Sequence, residues 1–229
     1  MRPTPLSERA KTVRLRLLFI FCVLIAAAAL GWVFSRASRD DGPAKVSVWA
    51  ENIDDLEQCC RIKSAKASLY DAYAATARRE KKANAMCLFQ ALAASERIHE
   101  ANCAEALRLL GGQYTPSLRR TADTTGTTAR QVARAIVVER KLHDREAGEM
   151  IRRAMEKHNR YAARILTWTA ASDLKHLILL EHYQSNAGHF PPDRGYAVCP
   201  HCGNTFDTAY CDPYCPFCMT ADEEFVRYL

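Results

Sequence analysis

The chain has 229 residues, of which 48% are hydrophobic and 25% are charged, a composition typical of a globular protein and unlike that of a disordered chain. The net charge of +6 comes from the first 39 residues, because the remaining residues carry 25 charges of each sign. Since the folded part is neutral overall, charge gives no reason to expect a nucleic-acid partner.

The N-terminal region combines a basic tail, residues 1–16, with an uncharged apolar stretch at residues 17–34. A helix of that length spans about 27 Å, which is just enough to cross a bilayer. We therefore predict a membrane anchor whose basic flank stays inside, followed by a linker at residues 35–51 and exported folded domains. The alternative is a signal peptide, because Ser35 and Ala37 form a small-x-small cleavage site, and the chain would then be secreted.

Residues 52–188 contain few prolines and glycines, and their apolar residues recur at helical spacing. This pattern predicts four helices, at about 53–80, 84–110, 127–157 and 160–185. The polar stretch between the second and third helices is long enough to cross from one end of a bundle to the other. The sequence therefore predicts an all-α fold, a four-helix bundle with a crossover connection.

The second predicted helix places a carboxylate and an imidazole, Glu96 and His99, on its buried face. A buried carboxylate needs a cation or a hydrogen-bonding network beside it. The fourth helix repeats the pattern with Asp173 and His176, and the third helix turns Glu139 inward. Carboxylate-bridged di-metal bundles use such a pair on each of two helices and a glutamate from each of the other two, so the pattern predicts a metal site.

The first predicted helix should supply the fourth carboxylate, but its inward stripe carries Lys63 instead. An ammonium group at this level could stand where one metal ion would lie and pair with Glu96 or Glu139. Three states of the bundle therefore stay open: two metal ions, one metal ion, or a salt-bridged core without metal.

Two helical cysteines form another feature of the bundle. If the first two helices make a hairpin that turns near residues 81–83, Cys60 comes level with Cys103, and Cys59 is the alternative partner. A disulfide between them is sterically reasonable in an oxidising, exported location. The other interpretation is that these cysteines are small buried hydrophobic residues.

The C-terminal region, residues 189–229, contains two C-x2-C pairs separated by twelve residues: Cys199, Cys202, Cys215 and Cys218. Two such pairs present four thiolates tetrahedrally to one zinc or iron ion, and a domain of about 40 residues needs this link because its apolar core is small. Two disulfides are the alternative, which the C-x2-C spacing disfavours. Cys211 is left over, as a free thiol or a replacement ligand.

The motifs together resemble those of the rubrerythrins, whose members join a ferritin-like di-iron four-helix bundle to a C-terminal rubredoxin-like domain with one iron held by four cysteines. The resemblance covers about residues 52–229. It is carried by Tyr70 through Glu80, Leu88-Phe89, Glu96-x-x-His99, Gly126 through Ala129, Glu139, His176, Gly203, Phe225 and the two cysteine pairs. In the family's register, two glutamate ligands are replaced, one by Lys63 and one by Leu142.

The resemblance implies an oxidoreductase that acts in the response to oxidative stress and reduces peroxide at one or two non-haem iron ions. Electrons would come from an unidentified donor through the four-cysteine centre. The implied catalytic and metal-binding residues are Glu96, His99, Glu139, Asp173 and His176. The alternative is a degenerate, non-catalytic member, a metal-binding or interaction scaffold with a structural zinc ribbon and one ion or none in the bundle. Lys63 and Leu142 favour this alternative, whereas the retained carboxylate–histidine pairs favour the enzyme. A homodimer is one possible assembly.

Overall fold

The structure is a computed structural model that describes residues 21, 23–27, 47–116, 125–143, 146–186, 191 and 194–229. Met1–Val46 form one unit and Ser47–Leu229 form another. The described residues of the first unit are helical and exposed, and most of the predicted anchor at 17–34 lies outside the described residues. Among the described residues, no helix is long and apolar enough to cross a membrane.

Five α-helices lie in the described part of the larger unit: α1 (Ala50–Arg79), α2 (Ala83–Leu109), α3 (Thr128–His143), α4 (Glu146–Glu156) and α5 (Arg160–Ser185). Helix α1 packs mainly on α2, and α5 packs on α2, α3 and α4. The sequence predicts the bounds of α1, α2 and α5 to within three residues. The predicted third helix is found as two helices, α3 and α4, which together complete the bundle.

A short turn joins α1 to α2 as the predicted hairpin. Lys81 adopts a left-handed backbone conformation with a φ of 56°, and the backbone N–H of Lys82 donates to the carbonyl of Ala77 at 2.9 Å. The carboxylate of Glu80 accepts a hydrogen bond of 3.0 Å from the N–H of Thr128, the first residue of α3. Because the first N–H groups of a helix have no partner within the helix, this bond both caps α3 and ties it to the hairpin.

Two apolar clusters fill the bundle on either side of a polar level. One contains residues 70–77 of α1 and 85–93 of α2, including the fully buried Phe89. The other contains residues from both helices near Leu56 and Leu107. Full burial of a leucine or phenylalanine side chain contributes about 1.5–3 kcal/mol to stability. The two clusters therefore fix the register of α1 against α2, and with it the side chains that face each other at the level between them.

The C-terminal region forms a small antiparallel sheet with the order β2-β1-β3, where β1 is Tyr196–Val198, β2 is Thr205–Asp207 and β3 is Val226–Tyr228. In the central strand, Ala197 lies opposite Phe206 on one side and Arg227 on the other. The described bundle is helical, as predicted, and this sheet is the β structure of the cysteine-rich region.

The cysteine-rich region packs directly on α2. The hydroxyl of Ser95 donates to the carbonyl of Gly203 at 2.6 Å, and the side-chain amide of Asn102 donates to the carbonyl of His201 at 3.0 Å. Gly203 has a φ of 82°, and a Cβ there would lie 2.5 Å from Nε2 of His99. The close approach of this loop to the bundle therefore requires glycine.

We expect Gly203→Ala to lower the free energy of unfolding by about 2 kcal/mol or more. A left-handed backbone costs a residue with a Cβ about 1–2 kcal/mol, and the added methyl group would also displace the ring of His99. A thermal melt should show a Tm lower by about 4 °C or more.

Gly148→Ala is the matched control, because Gly148 is an exposed position in α4 where a Cβ would meet nothing within 4 Å. Alanine at such a helical position should leave stability unchanged or raise it by about 1 kcal/mol at most. Equal melting curves for the two variants would contradict the close approach at Gly203.

Candidate functional site

The polar level of the bundle holds six buried charged or titratable residues from four helices, here called the charge cluster: Lys63 and Lys66 of α1, Glu96 of α2, Glu139 of α3, and Asp173 and His176 of α5. None has more than 7% of its surface exposed. One ligand atom from each of the three carboxylates and from His176 lies within 4.8 Å of the others. This is close enough for the four to bind a common cation.

Lys66 already supplies a cation at that position. Its ammonium nitrogen lies 2.5 Å from Glu96 Oε1, 2.6 Å from Glu139 Oε2 and 2.7 Å from Asp173 Oδ1. Burial alone would lower the pKa of Lys66, but the three carboxylates outweigh it, and the pKa lies well above its ordinary value. Sequence analysis missed Lys66, although its position three residues after Lys63 puts the two lysines on one helical face.

Lys63 also faces the carboxylates, as the sequence predicts. Its ammonium group donates to both oxygens of Asp173 at 2.6 Å and lies 3.3 Å from Glu96. Burial raises the pKa of each carboxyl, but Lys63 and Lys66 together outweigh it. The pKa of Glu96 is therefore held well below its ordinary value, and that of Asp173 is also lowered.

His176 has hydrogen-bond acceptors on both sides of its ring. Its Nδ1 lies 3.2 Å from Glu96 Oε1, and its Nε2 lies 3.0 Å from Oγ of Ser95. Because the hydroxyl group of Ser95 donates its hydrogen bond to the carbonyl of Gly203, its oxygen accepts a hydrogen bond from Nε2–H of His176. Burial lowers the pKa of His176, but hydrogen bonds to Glu139 and Glu96 outweigh it and raise the pKa. The surroundings therefore favour the imidazolium form of the ring.

Positive and negative groups of the cluster are matched in number. Two ammonium groups face three carboxylates, and the raised pKa of His176 favours the third positive charge, which makes the cluster neutral without any added ion. Tyr70 completes it, because its hydroxyl donates to Glu139 Oε1 while Lys66 contacts Oε2. The ring of Tyr70 stacks on Phe89 with centroids 6.0 Å apart, so the residue packs in the core while its hydroxyl group faces the cluster.

His99 lies beside the charge cluster but outside the close group of four ligands. It is fully buried, and its Nδ1 is 3.6 Å from Glu96 Oε2. Among the described residues, neither ring nitrogen has a hydrogen-bond partner. Burial lowers its pKa, so the ring is neutral. The side chain of Leu142, the other predicted substitution, lies outside the described part of the chain.

Two thiols lie one helical turn beyond Lys63. Sγ of Cys59 is 2.9 Å from Sγ of Cys103, whereas Sγ of Cys60 is 3.7 Å from the carbonyl of Glu100. The alternative pairing, Cys59 with Cys103, is thus the one that the structure brings together, because Cys60 turns toward the backbone of α2. Burial, followed by the charge of Cys59, raises the pKa of Cys60 to about 12.

The four predicted ligands of the C-terminal region converge. Cys199 and Cys218 have their sulfur atoms 3.5 Å apart, Cys202 and Cys215 have theirs 3.4 Å apart, and all four lie within 4.8 Å of one another. Tetrahedral thiolates at about 2.3 Å from a zinc ion are about 3.8 Å apart, so the four sulfur atoms fit one ion. These four residues are called the four-cysteine unit below, and Cys211 is outside it.

The helical bundle with inward carboxylates, joined to a four-cysteine unit, has a ferritin-like fold with two groups of residues that could hold a metal ion. A model of the rubrerythrin family matches residues 54–184, more than half of the chain. The chain therefore belongs to the rubrerythrin family, which confirms the resemblance seen in the sequence. No protein with a curated description matches it.

Solved structures show the same fold at low sequence identity. Nigerythrin in its fully reduced, all-ferrous state is 20% identical, with a TM-score of 0.71 over 83% of this chain and 91% of that chain. The bacterioferritin of Desulfovibrio desulfuricans, described with a diiron site in different catalytic states, is 16% identical, with a TM-score of 0.57 over 63% of this chain and 84% of that chain. At these identities the likeness establishes the fold alone.

We expect Lys66→Met to lower the free energy of unfolding by about 3–5 kcal/mol at neutral pH, because it leaves buried carboxylates without their shared cation. As the pH falls toward about 4, the ordinary range of carboxyl groups, the unpaired carboxylates of the variant take up protons and the difference from the wild type shrinks. In the wild type, Glu96 and Asp173 have lowered pKa values, so their contribution is lost only as the pH falls below that ordinary range and through the lowered values. Chemical denaturation between about pH 3 and 7.5 measures both effects.

Lys141→Met, at an exposed position of α3, is the control and should change stability by about 0.5 kcal/mol at most. A Lys66→Met variant as stable as this control, or a deficit that grows as the pH falls, would show that Lys66 does not neutralise the cluster.

Proposed function

We propose that this chain is a rubrerythrin-family protein that carries its metal in the four-cysteine unit, while the two lysines of the charge cluster take the place of metal ions in the bundle. The observation that carries the proposal is the ammonium group of Lys66, which lies within 2.7 Å of three carboxylates. The bundle then acts as a metal-free scaffold, and peroxide reduction at bundle iron is not its activity.

The charges of the residues in the charge cluster support this proposal and argue against a site with two metal ions. Two divalent ions would add four positive charges to a buried group that is already neutral, and unpaired buried charge costs several kcal/mol per ion. Lys63 supplies an ammonium where the family has a carboxylate donor. The residues of the bundle therefore do not fit two metal ions.

The four-cysteine unit fits a single ion of iron or zinc. Cys199, Cys202, Cys215 and Cys218 would hold it through their sulfur atoms. Hydrogen bonds from Cys199 and Cys202 lower the pKa of Cys215, which favours its thiolate, the form that binds metal. Iron would supply one-electron transfer with an external donor, and zinc would supply structural stability.

One observation favours a second candidate, a peroxide-reducing enzyme with a metal ion in the bundle. His99 is fully buried, and neither of its ring nitrogens has a hydrogen-bond partner among the described residues. An ion beside Glu96 would give Nδ1 a partner. Metal content distinguishes this candidate from the proposal.

We expect one metal ion per full-length chain by elemental mass spectrometry, and none in a Cys199→Ser/Cys202→Ser variant. Both results follow if the bundle is neutral without metal. A second ion in the wild type, or any ion retained by the cysteine variant, would support the enzyme and contradict the proposal.

The double variant Lys63→Glu/Lys66→Ala tests the cause directly, since it restores a carboxylate and removes the central ammonium group. It should gain at least one bundle ion when supplied with iron, and its circular dichroism should show that it is folded. The control Lys141→Glu changes charge at an exposed position and should gain none. Equal metal content in both variants would mean that the lysines do not exclude metal.

We also propose that residues 17–34 anchor the chain in a membrane with its folded domains exported. The uncharged length and the basic flank support this orientation. Expressed in a bacterium, the full chain should stay with the membrane after an alkaline wash, and protease added to spheroplasts should digest the bundle. A chain in the soluble fraction that has lost about 37 residues would indicate a cleaved signal peptide instead. Protection from external protease would contradict export.

A further inference from the structure

A small cavity opens beside the thiol pair, between α1, α4 and α5. Its volume is about 40 Å³, and its lining residues include Cys59 and Lys63 of α1, Ala147 and Met150 of α4, and Asp173 of α5. This volume is enough to hold a molecule of the size of water or hydrogen peroxide.

Cys59 is the thiol that such a molecule would reach. It lines the cavity, whereas Cys103 does not and is fully buried behind it. The two sulfur atoms are 2.9 Å apart, less than 1 Å farther than the disulfide bond length of about 2.05 Å. Cys60 is also buried, but its sulfur atom contacts the carbonyl of Glu100, whereas that of Cys59 contacts Cys103.

We propose that Cys59 and Cys103 form a dithiol site that is oxidised to a disulfide by hydrogen peroxide entering through this cavity. Cys59 reacts with the oxidant, and Cys103 completes the bond. Hydrogen peroxide is a two-electron oxidant of nearly the size of water, which matches the cavity. The site uses no bundle metal, so it is separate from the function proposed above.

The reaction is balanced in two steps. The sulfur of Cys59 attacks one peroxide oxygen, the O–O bond breaks, and the leaving hydroxide takes the thiol proton as water, which leaves a sulfenic acid. The sulfur of Cys103 then attacks the sulfur of Cys59, and the departing hydroxide takes the proton of Cys103 as a second water. Two thiols are oxidised by two electrons, and one peroxide is reduced to two waters.

The surroundings of Cys59 favour its thiolate, which is the nucleophile. The hydrogen bond from Cys103 lowers the pKa of Cys59, burial opposes this, and the positive charge of Lys63 adds to the lowering. Lys63 also lines the cavity, so its ammonium group is placed to attract the peroxide and the leaving hydroxide. Cys103 has a raised pKa, mainly through its hydrogen bond to Cys59, and therefore acts second.

The test uses the full-length, zinc-loaded chain, in which the thiols of the four-cysteine unit are protected and no redox-active metal is present. Peroxide is added, free thiols are alkylated, and peptides are mapped by mass spectrometry. We expect a Cys59–Cys103 cross-link formed with one equivalent of peroxide. Cys103→Ser should instead accumulate a sulfenic acid on Cys59 that dimedone traps, and Cys59→Ser should give neither product.

Cys60→Ser is the matched control, since it removes a buried thiol of the same helix and should leave the cross-link intact. Ala147→Leu fills the cavity without touching either sulfur, so it should slow the reaction with peroxide while still yielding the same cross-link. Circular dichroism confirms that each variant is folded. Peroxide consumption that persists in Cys59→Ser, a cross-link through Cys60, or an unchanged rate in Ala147→Leu would overturn the proposal.

Discussion

The contact between the ammonium group of Lys66 and three buried carboxylates is the constraint on which the rest of the bundle depends. Removing a charge from water costs several kcal/mol, whereas two unit charges 4 Å apart gain about 4 kcal/mol at an effective dielectric constant near 20. A single carboxylate therefore barely offsets the cost of burying the lysine charge, whereas three carboxylates that share it offset the cost fully. Since these partners come from α2, α3 and α5, the network forms only when all four helices are in register.

The same network connects the bundle to the cysteine-rich region. His176 faces Glu96 with one ring nitrogen and Ser95 with the other, and Ser95 in turn donates to the carbonyl of Gly203 in the loop that follows Cys202. This chain of polar contacts begins at a charge and ends at a backbone carbonyl beside the four-cysteine unit. The protonation of His176 is therefore coupled to how that loop packs, and Gly203 must lack a side chain for the contact to form.

The family, the bundle and the ligand types could be predicted because each depends on a local pattern: helical period, carboxylate-x-x-histidine pairs and C-x2-C spacing. What failed was the choice between neighbouring residues on α1. Two helical stripes pass through Lys63 and Tyr70. One includes Cys60 and Ala67, and the other includes Cys59 and Lys66. All four of these residues are buried, so burial does not distinguish the stripes. Only the packing of α1 against its partners decides which pair faces the charged level. One shift of the stripe explains both the missed lysine and why Cys59, the alternative partner, lies beside Cys103 instead of Cys60.

Lys63 belongs to both parts of the molecule that this shift reveals. Its ammonium group is bonded to Asp173 in the charge cluster, and it lines the cavity that reaches Cys59. A cation held there by a carboxylate is fixed in place, so it can favour a thiolate without the loss of entropy that a free lysine side chain would incur. Lys63, which stands where the sequence resemblance places a family metal ligand, thus also shapes the electrostatic surroundings of a thiol. In this chain, the ammonium group of Lys63 both pairs with Asp173 of the charge cluster and lies near the sulfur of Cys59.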